Sequence, residues 1–159
     1  MDRTQKIILA AVALVLTLAV VAVLLVVTRK EQGEFSPPPF DETAVVGAPA
    51  VTDETLRYSY LKMTDTLALA LCAVCEMDED GLRIYFTSLE HNTAWVKVKV
   101  YSEKGKLLGE SGLLRPGEYV EHIALSASPK GDTLKIKVLS YEPDTYYSLG
   151  SAEIAVNVK

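Results

Sequence analysis

The chain is short of the side chains that carry out chemistry: it has two cysteines, two histidines and one tryptophan in 159 residues. Two thiols cannot close a structural zinc site, which takes four ligands. His91 and His122 lie far apart with no matching His, Cys or carboxylate spacing around them, so no metal-ligand set is expected. Ser111-Gly112 lacks the Gly-x-Ser-x-Gly elbow that presents a serine nucleophile at a strand-to-helix turn. A calcium loop spreads its ligands over about a dozen residues and ends on an acid. Asp78-Glu79-Asp80-Gly81 instead concentrates three carboxylates and reads as a solvated hairpin tip. No catalytic residue, cofactor or metal is expected, and the chain does not read as an enzyme.

A second shortage is local. Residues 7–28 contain no charge, proline or glycine, and at ~1.5 Å of rise per residue they span roughly 33 Å as a helix, close to the hydrocarbon thickness of a bilayer. The run predicts a single membrane-spanning helix, because a helix satisfies its own backbone in lipid. A cleaved signal has an apolar core of about 7–15 residues and small residues at its cleavage site. Here the run is longer, and Thr28-Arg29-Lys30-Glu31 offers no such site. The first cysteine, Cys72, follows the large Leu71 and is too far along to carry a lipid anchor. A pilin-like helix is disfavoured as well, since the run has neither a processing glycine nor an early glutamate. Arg3 and Lys6 on one side balance Arg29 and Lys30 on the other, so the positive-inside rule gives a tie. A six-residue tail ahead of a long C-terminal portion is the usual form of a signal anchor. The expectation is therefore a single-pass protein of the cell membrane with residues 1–6 cytoplasmic and the C-terminal domain extracellular.

What the rest contains is mostly acid and strand. Apart from Asp2, Arg3 and Lys6, all of the 21 acidic and 16 basic residues lie beyond residue 28, which makes that portion acidic and nucleic acid an unsuitable partner. Its length suits one domain with its own core. Pro37-Pro38-Pro39 imposes a stiff, extended conformation, so residues 29–39 read as a juxtamembrane stalk and residues 40–159 as the domain.

Beyond residue 54 the hydrophobic period is two. In Ala94-Trp95-Val96-Lys97-Val98-Lys99-Val100-Tyr101 the three valines share one face and Trp95, Lys97, Lys99 and Tyr101 the other. Leu134, Ile136 and Val138 repeat the device, as do Ile154, Val156 and Val158. Turn sequences at Asp80-Gly81, Lys104-Gly105, Pro116-Gly117, Lys130-Gly131 and Pro143-Asp144 separate strands at about 55–62, 66–76, 82–88, 94–102, 106–111, 118–126, 133–141 and 150–158. Seven or eight short strands so spaced predict an all-β, immunoglobulin-like antiparallel sandwich, with a small barrel as the alternative. Tyr119, Ile123 and Leu125 are expected to form an inward row after the Pro116-Gly117 turn, and His122 to face outward.

The stretch from Glu110 through Arg115-Pro116-Gly117-Glu118-Tyr119 to Val120, with Tyr141-Glu142-Pro143-Asp144-Thr145-Tyr146-Tyr147-Ser148, resembles a group of small single-pass surface proteins of Gram-positive gut bacteria. The similarity covers residues 40–159 and includes Phe86-Thr87-Ser88 and Asn92, with Ser88 standing where the group shows asparagine. It implies an N-terminal anchor and one β-sandwich domain, and carries no activity. More distantly, Leu114-x-Pro116-Gly117-x-Tyr119 is similar to the fibronectin type III corner, with the tyrosine three residues after the proline instead of four.

Two features remain as candidate chemistry. Cys72-Ala73-Val74-Cys75 has the spacing of a redox motif but lies inside a strand pattern, away from the helix N-terminus that lowers a thiol pKa. On one continuous strand the two would face opposite ways with Cα atoms about 10 Å apart, beyond disulfide reach. Packing is the expected role, with a disulfide across a bulge or an envelope thiol function as alternatives. Trp95, Tyr101, Tyr141, Tyr146 and Tyr147 could form an interaction surface, since exposed rings contribute large apolar area at little entropic cost; a structural role in covering the other strand face is the favoured alternative. The reading is thus a membrane-tethered, non-enzymatic module that contacts a protein or cell-wall partner or serves in an envelope assembly. A membrane-coupled sensor or regulator is a further alternative.

Overall fold

The computed structural model describes Asp2, Gln5 and residues 36–159 of the chain. The expected membrane-spanning helix at residues 7–28 lies outside the described residues, as do residues 29–35 of the expected stalk and most of the tail. Among the described residues no helix is long and apolar enough to cross a membrane. The chain separates into Met1–Ser36 and Pro37–Lys159, and the second unit is all-β.

Alternation of apolar and polar side chains sets its strands. In chain order they are β1 (Val45–Val46), β2 (Tyr58–Lys62), β3 (Ala68–Cys72), β4 (Val74–Asp78), β5 (Gly81–Ser88), β6 (Trp95–Ser102), β7 (Leu107–Leu114), β8 (Glu118–Ile123), β9 (Thr133–Tyr141) and β10 (Ser148–Val158). Hydrogen bonding runs β1-β8-β5-β4-β10-β9-β6-β7, with β3 also on β5 and β2 on β3. The ladder curls on itself so that its inward faces enclose one core. Leu69 and Leu71 of β3, Leu82, Ile84 and Phe86 of β5 and Val120 and Ile123 of β8 meet Val96, Val98 and Val100 of β6, Leu134, Ile136 and Val138 of β9 and Val156 of β10. Burial of these side chains contributes roughly 1.5–3 kcal/mol each before entropy is counted.

The strand pattern departs from expectation at three points. The segment expected as one strand over residues 66–76 breaks at Ala73, whose N–H turns back to the Arg57 carbonyl (3.3 Å) while its carbonyl accepts from Asn157 N–H (3.0 Å). The chain thereby passes from β3, which pairs with β2 and β5, to β4, which pairs with β5 and runs parallel to β10. With the short β1 ahead of the expected strands as well, the sheet has ten strands among the described residues and one parallel strand pair, instead of seven or eight strands all antiparallel. The break also undoes the opposite-face arithmetic for the cysteines, and both are fully buried in the core.

The second point is a bulge on β5 between Arg83 and Phe86, where Tyr85 adopts φ +50°. A bulge adds one unpaired residue and redirects its neighbours. Here Ile84 and Phe86 enter the core and Tyr85 points outward to Glu121, while the extra residue on β5 lets Val120 and Ile123, three apart on β8, both face inward. The third follows from the second. The register on β5 pairs Phe86 with Val120 and Thr87 with Tyr119, so Val120 takes the inward place expected of Tyr119, which is only half-buried. Ile123 is buried as expected and Leu125 packs against the core.

Candidate functional site

Since Val96, Val98 and Val100 are fully buried, Trp95 emerges on the outer face at the start of β6, with Tyr141 of β9 as its cross-strand partner. Phe40 meets the Trp95 ring edge-on, at 4.8 Å between centroids and 76° between planes. Tyr146 meets it from elsewhere at 5.3 Å and 62°. The Arg115 guanidinium caps the row, 3.6 Å from the centre of the Phe40 ring. Edge-on pairs contribute about 0.5–1.5 kcal/mol beyond area burial, and an exposed cation over a ring about 0.5–1 kcal/mol. Tyr146 reaches Trp95 because the β9–β10 loop holds it at φ +59°, with its N–H on the Glu142 carbonyl (3.0 Å) and Thr145 donating its hydroxyl to the Glu142 carboxylate (2.7 Å).

The residues between the proline triplet and β1 are thus fastened to β7 and β6. Leu113 N–H donates to the Pro39 carbonyl (2.8 Å), Asp41 N–H to the Leu113 carbonyl (2.9 Å) and Gly112 N–H to the Asp41 carboxylate (2.7 Å). Gly112 has no side chain because a Cβ there would overlap the Asp41 backbone.

Of the five aromatic residues singled out in the sequence, Trp95, Tyr141 and Tyr146 come together, and Tyr147 stands beside them 73% exposed. Tyr101 does not join them. It lies at the far end of β6, six residues or roughly 20 Å along the strand, between Lys135 and Leu107. Trp95 is engaged on two sides by Phe40 and Tyr146, which gives it a structural task. Phe40 and Arg115 are the members that sequence reading missed, and the only signal for them was the neighbouring proline triplet.

A second constellation gathers on the outer face of β4, β5 and β8. Arg83 reaches Asp78 (Nη2 to Oδ2, 2.8 Å), Glu76 (3.3 Å) and Glu121 (3.6 Å), and its Nε–H donates to His122 Nε2 at 3.2 Å. His122 Nε2 also lies 2.8 Å from Asp78 Oδ2, and Tyr85 donates its hydroxyl to Glu121 (2.9 Å). Against the cost of desolvation, the contact with His122, the hydrogen bond from Asp80 N–H and the charge of Arg83 hold the Asp78 carboxyl below its ordinary value. Asp78, Asp80 and His122 bring one ligand atom each within 4.8 Å of one another, so the hairpin tip is more organised than a solvated turn. The Arg83 guanidinium already occupies the Asp78 oxygen and the imidazole nitrogen, and a metal ion would have to displace that cation. On the outer face of β6 and β7, Glu110 is held below the ordinary carboxylate value chiefly by the hydrogen bond from Lys97 (2.8 Å), with Lys99 at 3.4 Å.

The cysteines are the reverse of activated. Burial pushes the Cys72 thiol up to about 11 and the Cys75 thiol up to about 12, and Cys75 donates its S–H to the Cys72 carbonyl at 3.5 Å. No disulfide joins them. An open groove of about 730 Å³ is walled by Tyr60, Val46, Leu89, His91 and Pro116, and in it Tyr60 is 68% and Val46 81% exposed. No known protein-family model matches this chain, and no curated protein sequence matches it either.

Proposed function

We propose that the chain is a membrane-tethered, non-enzymatic module: residues 7–28 span the cell membrane once, residues 1–6 face the cytoplasm, residues 29–39 form the stalk, and residues 40–159 form an extracellular immunoglobulin-like sandwich that contacts a protein or cell-wall partner or a neighbouring subunit of an envelope assembly. The strand connectivity supports the sandwich reading. One layer takes β3, β5 and β8, the other takes β10, β9, β6 and β7, and β4 switches between them by pairing parallel to the last strand. The resemblance to single-pass surface proteins of Gram-positive gut bacteria points the same way.

The observation that carries the non-enzymatic part is the fate of the reactive groups. Both thiols are buried with raised pKa values, and the imidazole of His122 is committed to Asp78 and Arg83. These features weigh against the alternative of a thiol-redox protein, because a nucleophilic thiol needs an accessible, low-pKa position. Treating intact cells with a membrane-impermeant protease tests the placement. Digestion of residues 40–159 with survival of a tag ahead of Met1 is the expected result. Full protection would replace the surface module with a cytoplasmic membrane-bound adaptor. Counting thiols with a fast alkylating reagent tests the chemistry: Cys72 and Cys75 should react only after unfolding, and rapid labelling of the folded protein would restore the redox alternative.

A further inference from the structure

A strand at the edge of a sheet presents alternate backbone N–H and C=O groups outward, and these form a template for another strand unless something blocks it. Four edges of this ladder meet solvent or cover. β7 is covered, because Pro39, Asp41 and Ser126 take the outward groups of Leu113, Gly112 and Leu108. β1 is two residues long. β10 pairs with β4 only at Asn157 and Val158, and the residues sharing Asn157's outward direction, Ser151, Glu153 and Ala155, include a carboxylate at the centre. A second copy meeting β10 there would set Glu153 against Glu153, and directly opposed like charges destabilise strand pairing.

β2 differs from all three. Met63 N–H donates to the Leu67 carbonyl and Ala73 N–H to the Arg57 carbonyl, which fixes Arg57, Ser59, Leu61 and Met63 as the residues bonded to β3. Tyr58, Tyr60 and Lys62 therefore point their N–H and C=O groups away from the sheet, and among the described residues no backbone partner meets them. The strand carries no proline and no bulge, and Lys62, the one charge on it, is tied to Asp65 (2.8 Å) in the following turn. Tyr58 is anchored by a 2.7 Å hydrogen bond between its hydroxyl and that of Thr87, and it holds Tyr60 edge-on at 6.1 Å.

We infer that β2 is a self-association edge, and that a second copy of this chain adds its own β2 antiparallel about a two-fold axis through Tyr60. That register pairs Tyr60 with Tyr60 of the partner, Tyr58 with Lys62 and Ser59 with Leu61, so no like charges oppose. All the outward groups of Tyr58, Tyr60 and Lys62 are satisfied at once. The Tyr58–Tyr60 ring pair extends across the axis into a row of four tyrosines, and Lys62 of each copy comes beside Tyr58 of the other. A two-fold interface needs only this one self-complementary patch.

The test uses the full-length chain in detergent. In a hydrogen-bonded antiparallel pair the Cα atoms lie about 5.5 Å apart, within disulfide reach. Tyr60→Cys should therefore give a covalent dimer under mild oxidation, while Ser151→Cys on β10 should not. Tyr60→Glu, at an exposed position, should keep the wild-type circular dichroism and shift the sedimenting species from dimer to monomer. Crosslinking of Tyr60→Cys no faster than Ser151→Cys would overturn the inference. So would a monomeric wild type, or a dimer that survives Tyr60→Glu, since that dimer would be held elsewhere.

Discussion

β7 and β2 each end one side of the ladder, yet the chain treats them differently. At β7 the segment from Pro39 to Asp41 supplies three hydrogen bonds, and Phe40 locks it down between Arg115 and Trp95. At β2 an alternating Tyr-Ser-Tyr-Leu-Lys strand is left with one side open and its central ring in solvent. The difference shows that the fold can protect an edge by strapping its own N-terminal segment over it. The open edge is therefore a property of β2 in particular, where Tyr58 and Thr87 hold the strand in a fixed, extended register.

The covered edge is broken most directly at Gly112. Gly112→Val places a side chain where Asp41 and Phe40 run, and overpacking of that kind is expected to cost about 3 kcal/mol, read as a lowered denaturant midpoint. Trp95→Ala removes the ring that Phe40 and Tyr146 share. At a half-buried position it should cost about 2 kcal/mol and expose the chain near Phe40 to limited proteolysis. A smaller effect falls on acid stability beneath the strap. Lys97 holds the folded-state pKa of Glu110 below the ordinary 4.5, so the stabilisation is present above that pH and is lost as pH falls through the lower, folded value. Glu110→Gln should flatten the fall in stability below about pH 4.5, by well under 1 kcal/mol because the carboxylate is substantially exposed. Tyr60→Glu, on the open edge, is expected to change monomer stability least, within about 0.5 kcal/mol, in a denaturant titration at low protein concentration. A large loss there would mean that β2 is held by more than its pairing with β3.

The residues that sequence reading placed well are those whose role is set by local alternation. The valines of β6 and Leu134, Ile136 and Val138 of β9 are buried as their period of two requires. The misplacements trace to backbone irregularities with weak local signatures. Nothing in Leu71-Cys72-Ala73-Val74 announces that Ala73 bonds to Arg57 and Asn157 instead of to neighbours in a continuous strand. Tyr85 is an ordinary strand former that ends up at positive φ, and its bulge moved Tyr119 out of the inward row. The aromatic set was legible as a composition, but its membership depended on which loop folded back onto β6.

What the sequence determined by itself is therefore the all-β character of residues beyond 54, the approximate strand boundaries and the apolar run at residues 7–28, because each rests on periodicity or on the absence of polar side chains within a short window. Only the tertiary structure decided the rest. It buried both cysteines, gathered Asp78, Arg83 and His122 from three strands, paired Phe40 with Trp95 and left the side of β2 away from β3 open. Those outcomes depend on the register and order of strands far apart in the chain, and hydrogen bonds and packing between such strands leave no local trace in the amino-acid pattern.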